Sequence, residues 1–423
     1  MKYISFVFFL FAGLFTVSAQ TTTDLIAYIS FDSCDVREDF GVPSVLPEPN
    51  PNGVFDCDCG VRGQALEFIK AGNEDSWFWI LGDIEDVFST IDFTISFYFK
   101  PTTNASENFV LISKKADCDG TDHAFSVRFN PSTRVLNVDM NETTTVSASV
   151  STVLPQNLCW YHVTIVRQGT LTKVYLNGAF YAQGKSTNAQ RIDLSNNNAI
   201  LTVGASQCTQ GFDTPFKGFI DELRIYDRAL KENEIRGLFF PIDQVGNGND
   251  LTGVNDTTIF LGNAVQGFVT HTCADQILWS PQDGIGLGEE TLPNPLITPT
   301  ESKTYTVTFS DQFCTTSDSL RITVIDPDSL DCSKVFLPKA FTPNGDGLND
   351  AFGINNPFVI SGLISFDIFD RWGTKVFSTA DPFQKWDGNY KGKAVNPGVY
   401  LYKVRFLCKG SEEVSSGSVT ILR

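Results

Sequence analysis

Short runs of alternating apolar and polar residues, cut by turn residues at close intervals, dominate the first 240 residues. They occur at 25–29, 93–99, 109–112, 125–129, 162–166 and 173–176, with Asp119-Gly120, Asn130-Pro131 and Asn177-Gly178 among the interruptions. An alternation of period two predicts strands with one face inside and one outside, and Asn-Gly and Asn-Pro pairs supply turn conformations. Only 229–238 reads as a helical turn. Many short strands over about 200 residues predict an all-β fold of two packed sheets, a sandwich or jelly roll.

The chain has 423 residues, enough for two or three domains. A Gly/Asn/Asp-rich stretch at 245–256 closes the first segment. Beyond it Tyr305, Val307 and Phe309 alternate with Thr304, Thr306 and Thr308, the pattern of a half-buried strand. Near the C-terminus Phe366 and Ile368 alternate with Asp367 and Phe369, and Asn396-Pro397-Gly398 supplies a turn ahead of an aromatic, β-branched run at 399–406. At the other end Lys2, an apolar run at 4–17 and Val17-Ser18-Ala19 predict a Sec-type signal peptide cut before Gln20. No cysteine follows that point closely, and no later run reaches the ~18 apolar residues of a membrane helix, so neither a lipid anchor nor a membrane span is expected. A net charge of −18 argues against nucleic acid as a partner, because phosphate binding needs excess Lys and Arg. All ten cysteines lie beyond the signal segment, which in an exported chain predicts disulfides.

Two stretches carry family resemblances. The succession TPNGDGLNDAF, FDIFDRWGTKVF and WDGNYKGKAVNPGVYLYKVRF, over about the last 90 residues, closely resembles the gliding-motility-associated C-terminal domain, the type B sorting signal of the Bacteroidetes type IX secretion system. That resemblance implies a small all-β sandwich that acts as an address for export to the outer cell surface or the medium, with the type IX machinery as partner. Upstream, QALEF, DFTISFYFKP, CWYHVTIVRQG, VYLNG, LTVGAS and FKGFIDELRIYDRALKENEI follow one another in the order of the LamG or concanavalin A-like group. That fold hosts lectins, polysaccharide-binding modules and some glycosidases. Residues 259–325 resemble the Ig-like or PKD-like repeats that precede such sorting domains, which implies a spacer in which Cys273 and Cys314 bridge the two sheets. The expected organisation is a signal peptide at 1–19, a LamG-like domain at 20–240, a linker at 241–258, an Ig/PKD-like domain at 259–327 and a sorting domain at 328–423, the last with Cys332 bonded to Cys408. Among the six cysteines of the first domain, Cys34 is expected to pair with Cys57 or Cys59, and Cys118 with Cys159 or Cys208.

A glycosidase on this scaffold needs two carboxyl groups about 5–10 Å apart. The Glu-x-Asp-x-x-Glu run of laminarinase-like relatives is absent, and so is a Gly-x-Ser-x-Gly elbow. Of the three histidines, His123, His162 and His271, His162 sits inside a strand pattern and reads as core. Calcium fits the sequence better as a cofactor. Asp117, Asp119 and Asp122 surround Gly120, either as a cation loop or as an acidic hairpin loop. Asp32 and Asp221 occupy the places where related sandwiches hold a structural calcium, with Gly63 or backbone carbonyls needed to complete the set. Residues 344–350 resemble a cation loop but lack its terminal Glu, and read first as turn chemistry. Cys57-Asp58-Cys59, with no second pair, reads as disulfide material and not as a zinc site. Trp77 and Trp79 share one face of a strand and Phe78 and Ile80 the other, so the indoles are either a sugar-stacking platform or core. Trp160 reads as core, and Trp279 belongs to the Ig-like pattern. The expected function is an exported surface or secreted protein without catalysis that recognises carbohydrate or glycoconjugate. A glycosidase or lyase and a structural protein-protein adhesin are the alternatives.

Overall fold

The computed structural model describes residues 22–40, 45–51, 53–71, 74–116, 122–187, 190–195, 198–206, 214–246, 256–326, 329–332, 335–345, 348–360 and 362–422. The signal segment, Asp117 and Asp119, and Cys118 and Cys208 lie outside the described residues. The chain divides into two compact units, one formed by 1–244, 269–278 and 307–318 and the other by 245–268, 279–306 and 319–423.

The first unit holds the two-sheet sandwich that the alternation predicts. One sheet runs in the order Ala179–Lys185, Leu171–Leu176, Tyr161–Gln168, Phe93–Pro101, Gly218–Tyr226, Gln64–Phe68 and Phe55–Cys59, with Leu25–Ile29 also paired to Gly218–Tyr226. The other runs Ser147–Val153, Val135–Asn141, Ala124–Asn130, Phe109–Lys114, Leu201–Val203, Phe78–Gly82 and Val45–Pro49. Between them lies one core rich in phenylalanine, including Phe68, Phe78, Phe88, Phe93, Phe97, Phe99, Phe125 and Phe129. Each such ring withdrawn from water stabilises the fold by about 1.5–3 kcal/mol, which makes this core the main driving force for the unit.

The first sheet is covered on its outer side as well. Phe93–Pro101 is buried at all but its last residue and Gly218–Tyr226 throughout, where a half-buried strand would alternate. The short helix Glu232–Leu238 packs Ile235 and Leu238 with Leu25, Val166, Tyr175 and Tyr226. Further along, Ile242 joins Tyr98, Trp160, Phe219 and Val61, with Phe240, Cys273 and Cys314 against them. Residues 241–244, expected as the start of a linker, thus belong to the first unit with this cover, and Ile242 bridges to His271. The second sheet keeps an outer face that alternates with exposure, as in Val135–Asn141 and Ser147–Val153.

Four disulfides are formed among the described residues. Cys34 bonds Cys57 and Cys332 bonds Cys408. The expected Cys273–Cys314 bridge is absent: Cys273 bonds Cys59 and Cys314 bonds Cys159. Pairing of Cys118 with Cys159 is thereby excluded too. The reason is the membership of the first unit, because 269–278 and 307–318 lie against the sandwich. Lys100, nearly buried, pairs with Asp311 at the same place, and Thr316 Oγ1 donates to the Asn157 carbonyl.

In the second unit, Thr257–Phe260 lies parallel to the end of Thr315–Ile325, and Trp279 is buried with its indole N–H donating to Leu292 O at 3.0 Å. The C-terminal sheet has the order Ala340–Phe341, Ser411–Ile421, Gly398–Cys408, Gly362–Phe369 and Lys375–Thr379. Phe341, Phe352, Phe366, Ile368, Trp386, Tyr400 and Val404 form its core.

Closing a loop of 155 residues removes much unfolded-state freedom. Replacing Cys159 and Cys314 together by Ser is expected to destabilise the first unit by about 3–5 kcal/mol. The check is the urea midpoint of the full chain under oxidising conditions.

Candidate functional site

The second sheet's outer face carries the indole pair, although its middle strands, Phe109–Lys114 and Leu201–Val203, are buried at every position. Phe78 and Ile80 point into the core, so the period of two sends Trp77 and Trp79 the other way. Both indoles are half-buried, with centroids 4.5 Å apart and planes at 83°. The core alternative is therefore wrong for Trp77 and Trp79 and right for the residues between and beside them.

Register extends this face across seven strands. Trp79 lies opposite Glu48 on one side and Thr202 on the other. Thr202 faces Ser113, Ser113 faces Ser126, Ser126 faces Asp139, and Asp139 faces Ser149. Asp139 pairs with Arg128 at 2.7 Å and accepts from Ser149 Oγ at 2.7 Å. Thr202 Oγ1 is spent on backbone, donating toward Ser113 O and Ala205 O. The face thus offers an aromatic pair near one edge and, beyond a middle where Thr202 and Ser113 are buried, a separate polar area with Ser126, Ser149 and the Arg128–Asp139 pair. Sequence reasoning found the indoles and missed Glu48, Arg128 and Asp139. Alternation marks such residues as outward-facing, but only cross-strand pairing shows that they form a row.

A second cluster gathers Asp32, Asp221 and Gly63. Asp221 sits at a bulge, where three steps on its strand match two on Phe93–Pro101 and Glu222 takes a φ of +55°. The bulge leaves Ile220 and Leu223 to the core and buries both acids on the sheet's covered outer side. Glu222 is answered by Arg224 at 2.5 Å and by the Tyr28 hydroxyl at 2.9 Å. Asp221 Oδ2 accepts the Val61 and Arg62 N–H groups at 2.7 and 3.2 Å, and Asp32 Oδ1 accepts the Gln64 N–H at 3.1 Å. Two carboxylates therefore clamp one turn, 60–64. That turn needs glycine at 60 and 63: a Cβ at Gly63 would stand 1.9 Å from Asp32 Oδ1, and one at Gly60 2.6 Å from Asp221 Oδ2. Asp221 Oδ1 is buried with no hydrogen-bond partner among the described residues. Burial, and then the neighbouring Glu222 charge, push its carboxyl well above the usual range. An unpartnered buried carboxylate oxygen beside a second carboxylate is a donor set that suits a hard cation such as calcium.

The other expected cation loops divide. Asp122 is exposed, and its companions Asp117 and Asp119 lie outside the described residues. At 344–350, Asp350 Oδ1 accepts the Asn344 and Gly345 N–H groups at 2.9 and 2.7 Å, and Gly345 has φ +80°, which is the turn chemistry expected there. Cys59, His271 and Cys273 lie within ligand reach of one another, but the two sulfurs are bonded together, so no thiolate is available for a metal.

His162 Nε2 lies 2.8 Å from Ser96 Oγ, a nucleophile-and-base spacing. Both are buried under the outer cover, and His162 stacks between Tyr98 and Phe239 with its Nδ1 unpartnered among the described residues. Burial, reinforced by the Arg224 charge, lowers its pKa to about 3. No substrate reaches this pair, and it is packing. His123 and His271 bond to the Asp193 and Gly60 carbonyls at 2.9 Å each. Trp160 is buried, as expected, with Lys100 5.9 Å above its ring.

Comparison with known families gives two matches. Residues 80–236 match the concanavalin A-like lectin/glucanases superfamily model, and residues 335–421 match the type IX secretion signal domain model. Among solved structures, domain 4 of the arabinanase AbnA from Geobacillus stearothermophilus, in complex with arabinotriose, shares 22% identity over 51% of this chain and 98% of its own, with a TM-score of 0.39. A botulinum neurotoxin type C structure, whose cell entry depends on two ganglioside molecules, shares 10% identity over 94% of this chain and 93% of its own, with a TM-score of 0.42. A sialidase module from Ruminococcus gnavus bound to α2,3-sialyllactose shares 14% identity over 37% of this chain and 86% of its own, with a TM-score of 0.31. None of the curated proteins matches.

His162 gives the first unit a pH signature. In the unfolded chain it takes a proton near pH 6.5, while the folded protein holds it neutral down to about 3. Its contribution is present above pH ~6.5 and is lost as pH falls toward 3. His162→Gln is expected to flatten the stability profile across that window, read as urea midpoint against pH.

Proposed function

We propose that this exported protein, which carries a concanavalin A-like domain and a type IX secretion signal domain, binds carbohydrate at the cell surface or in the medium. The secretion signal domain directs it out of the cell, and no described helix is long and apolar enough to cross a membrane. The observation that carries the reading is the outward Trp77–Trp79 pair on a strand whose alternate residues fill the core. An indole left half-exposed loses the burial that alternation gave to Phe78, and its face stacks on the apolar side of a pyranose ring. Exposed Glu48, opposite Trp79, would bond to hydroxyls of the same sugar, and the Arg128–Asp139 pair, with Asp139 four strands or about 19 Å from Trp79, would meet a further unit of a longer glycan.

A noncatalytic role also fits the spacing. Glu48 and Asp139 stand five strands apart in the row, about 24 Å at the usual strand separation. A glycosidase pair needs about 5–10 Å. Calcium at Asp32 and Asp221 would supply charge compensation for the buried Asp221 carboxylate and tie the first strand's end to turn 60–64. Its role there is to hold the sandwich and not to touch the sugar.

Two measurements test the reading. On a glycan array the full chain is expected to bind a defined set of sugars, and Trp77→Ala and Trp79→Ala each to weaken binding about tenfold or more, ~1.4 kcal/mol, at an unchanged Tm. A blank array with folded protein would sink the carbohydrate reading and leave the protein-adhesin alternative. Separately, millimolar calcium is expected to raise Tm by several degrees. Asp221→Asn keeps an acceptor for the two N–H groups while removing a buried charge, so it should raise the calcium-free Tm and abolish the response. A Tm indifferent to calcium in the unaltered chain would mean that Asp221 is simply a buried protonated acid.

A further inference from the structure

The secretion signal lies within 335–421, and its core residues are closed to any partner, so whatever reads the domain must read its surface. One surface feature runs against the economy of burial. Trp386 is buried, with its indole N–H donating to Asn389 O at 2.8 Å. Trp372, by contrast, is 80% exposed at the tip of the hairpin joining Gly362–Phe369 to Lys375–Thr379. Nothing about that tip is loose. Asp370 Oδ1 accepts the Trp372 and Thr374 N–H groups at 2.8 Å each, the Asp370 and Gly373 N–H groups close the turn through backbone carbonyls, and Gly373 takes φ +82°. Arg371 lies 5.2 Å from the Trp372 ring.

The neighbouring strand continues the apolar surface. Leu401 pairs with Phe369 at the base of the hairpin, and Val399 and Leu401 share the outward side of their strand at 57% and 54% exposure. Tyr400 and Val404 on its other side are in the core. A large aromatic held on a preformed turn loses little entropy on docking, which is how an interface anchor works, and Arg and Trp are the residues that most often dominate such contacts.

We propose that a protein component of the type IX export apparatus captures this domain through the 370–374 tip, with Trp372 as the inserted anchor. Val399 and Leu401 form the apolar rim. The matching pocket on the partner is apolar, with a carboxylate at its edge for Arg371. A second copy of this chain is the competing occupant.

The test is export of the full chain from a cell with a working type IX system, scored as protein at the surface or in the medium against protein held in the periplasm. Trp372→Ala is expected to cut export at least about tenfold while leaving Tm and protease resistance unchanged, and Trp372→Phe to restore part of it. Val414→Ser, on the same strand pair but beside Arg405, is expected to be exported normally. Arg371→Glu gives an independent reading should Trp372→Ala prove unstable, and it too is expected to accumulate in the periplasm. Normal export of folded Trp372→Ala and Arg371→Glu would overturn the proposal. So would a loss of self-association on Trp372→Ala with export intact, which would assign the tip to a second copy.

Discussion

A strand cannot choose its two faces independently. Once Phe78 and Ile80 are committed to the phenylalanine core, the residues beside them are committed to the outside, whatever their hydrophobicity. The same constraint fixes Ser126, Arg128, Asp139 and Ser149 outward, because Phe125, Val127, Phe129, Val138 and Met140 are inward. The sandwich core and the polar, aromatic outer face are two consequences of one alternation. What distinguishes the sheets is the fate of that outer face: covered by the helix and by 239–242 on one, and on the other buried at the middle strands but reaching solvent at Glu48 and the half-buried Trp77 and Trp79.

This explains which parts could be read ahead of the structure. Strands at 25–29, 93–99 and 173–176 carried their own period and turn signals, and each is present within a residue or two at its ends. The Trp77–Trp79 face was likewise a local matter. The polar row was not, because Asp139 meets Ser126 and Ser149 through pairing between segments that no local pattern relates. Asp32 and Asp221, 189 positions apart in the chain, meet at one turn for the same nonlocal reason, and family likeness supplied what spacing could not.

The cysteines show the limit most sharply. Cys273 and Cys314 lie within the stretch that resembles an Ig-like repeat, and that resemblance implied a bridge between them. Each instead bonds a cysteine more than 150 residues away, because 269–278 and 307–318 pack on the sandwich. Burial of Lys100 against Asp311 fits that arrangement, since a nearly buried ammonium needs its counter-charge close by. A sequence boundary between the first and second modules is therefore not a boundary in packing.

Those two bonds also reroute mechanical load. If the chain is held by its C-terminal part while a ligand drags on the sandwich, tension does not have to travel back along the polypeptide through 241–268. It can cross at Cys314 into Cys159, at the start of Tyr161–Gln168, and at Cys273 into Cys59, beside the turn that Asp32 and Asp221 clamp. The force then enters the first sheet at two covalent points, one just ahead of its inner strand Tyr161–Gln168 and one at the end of its edge strand Phe55–Cys59.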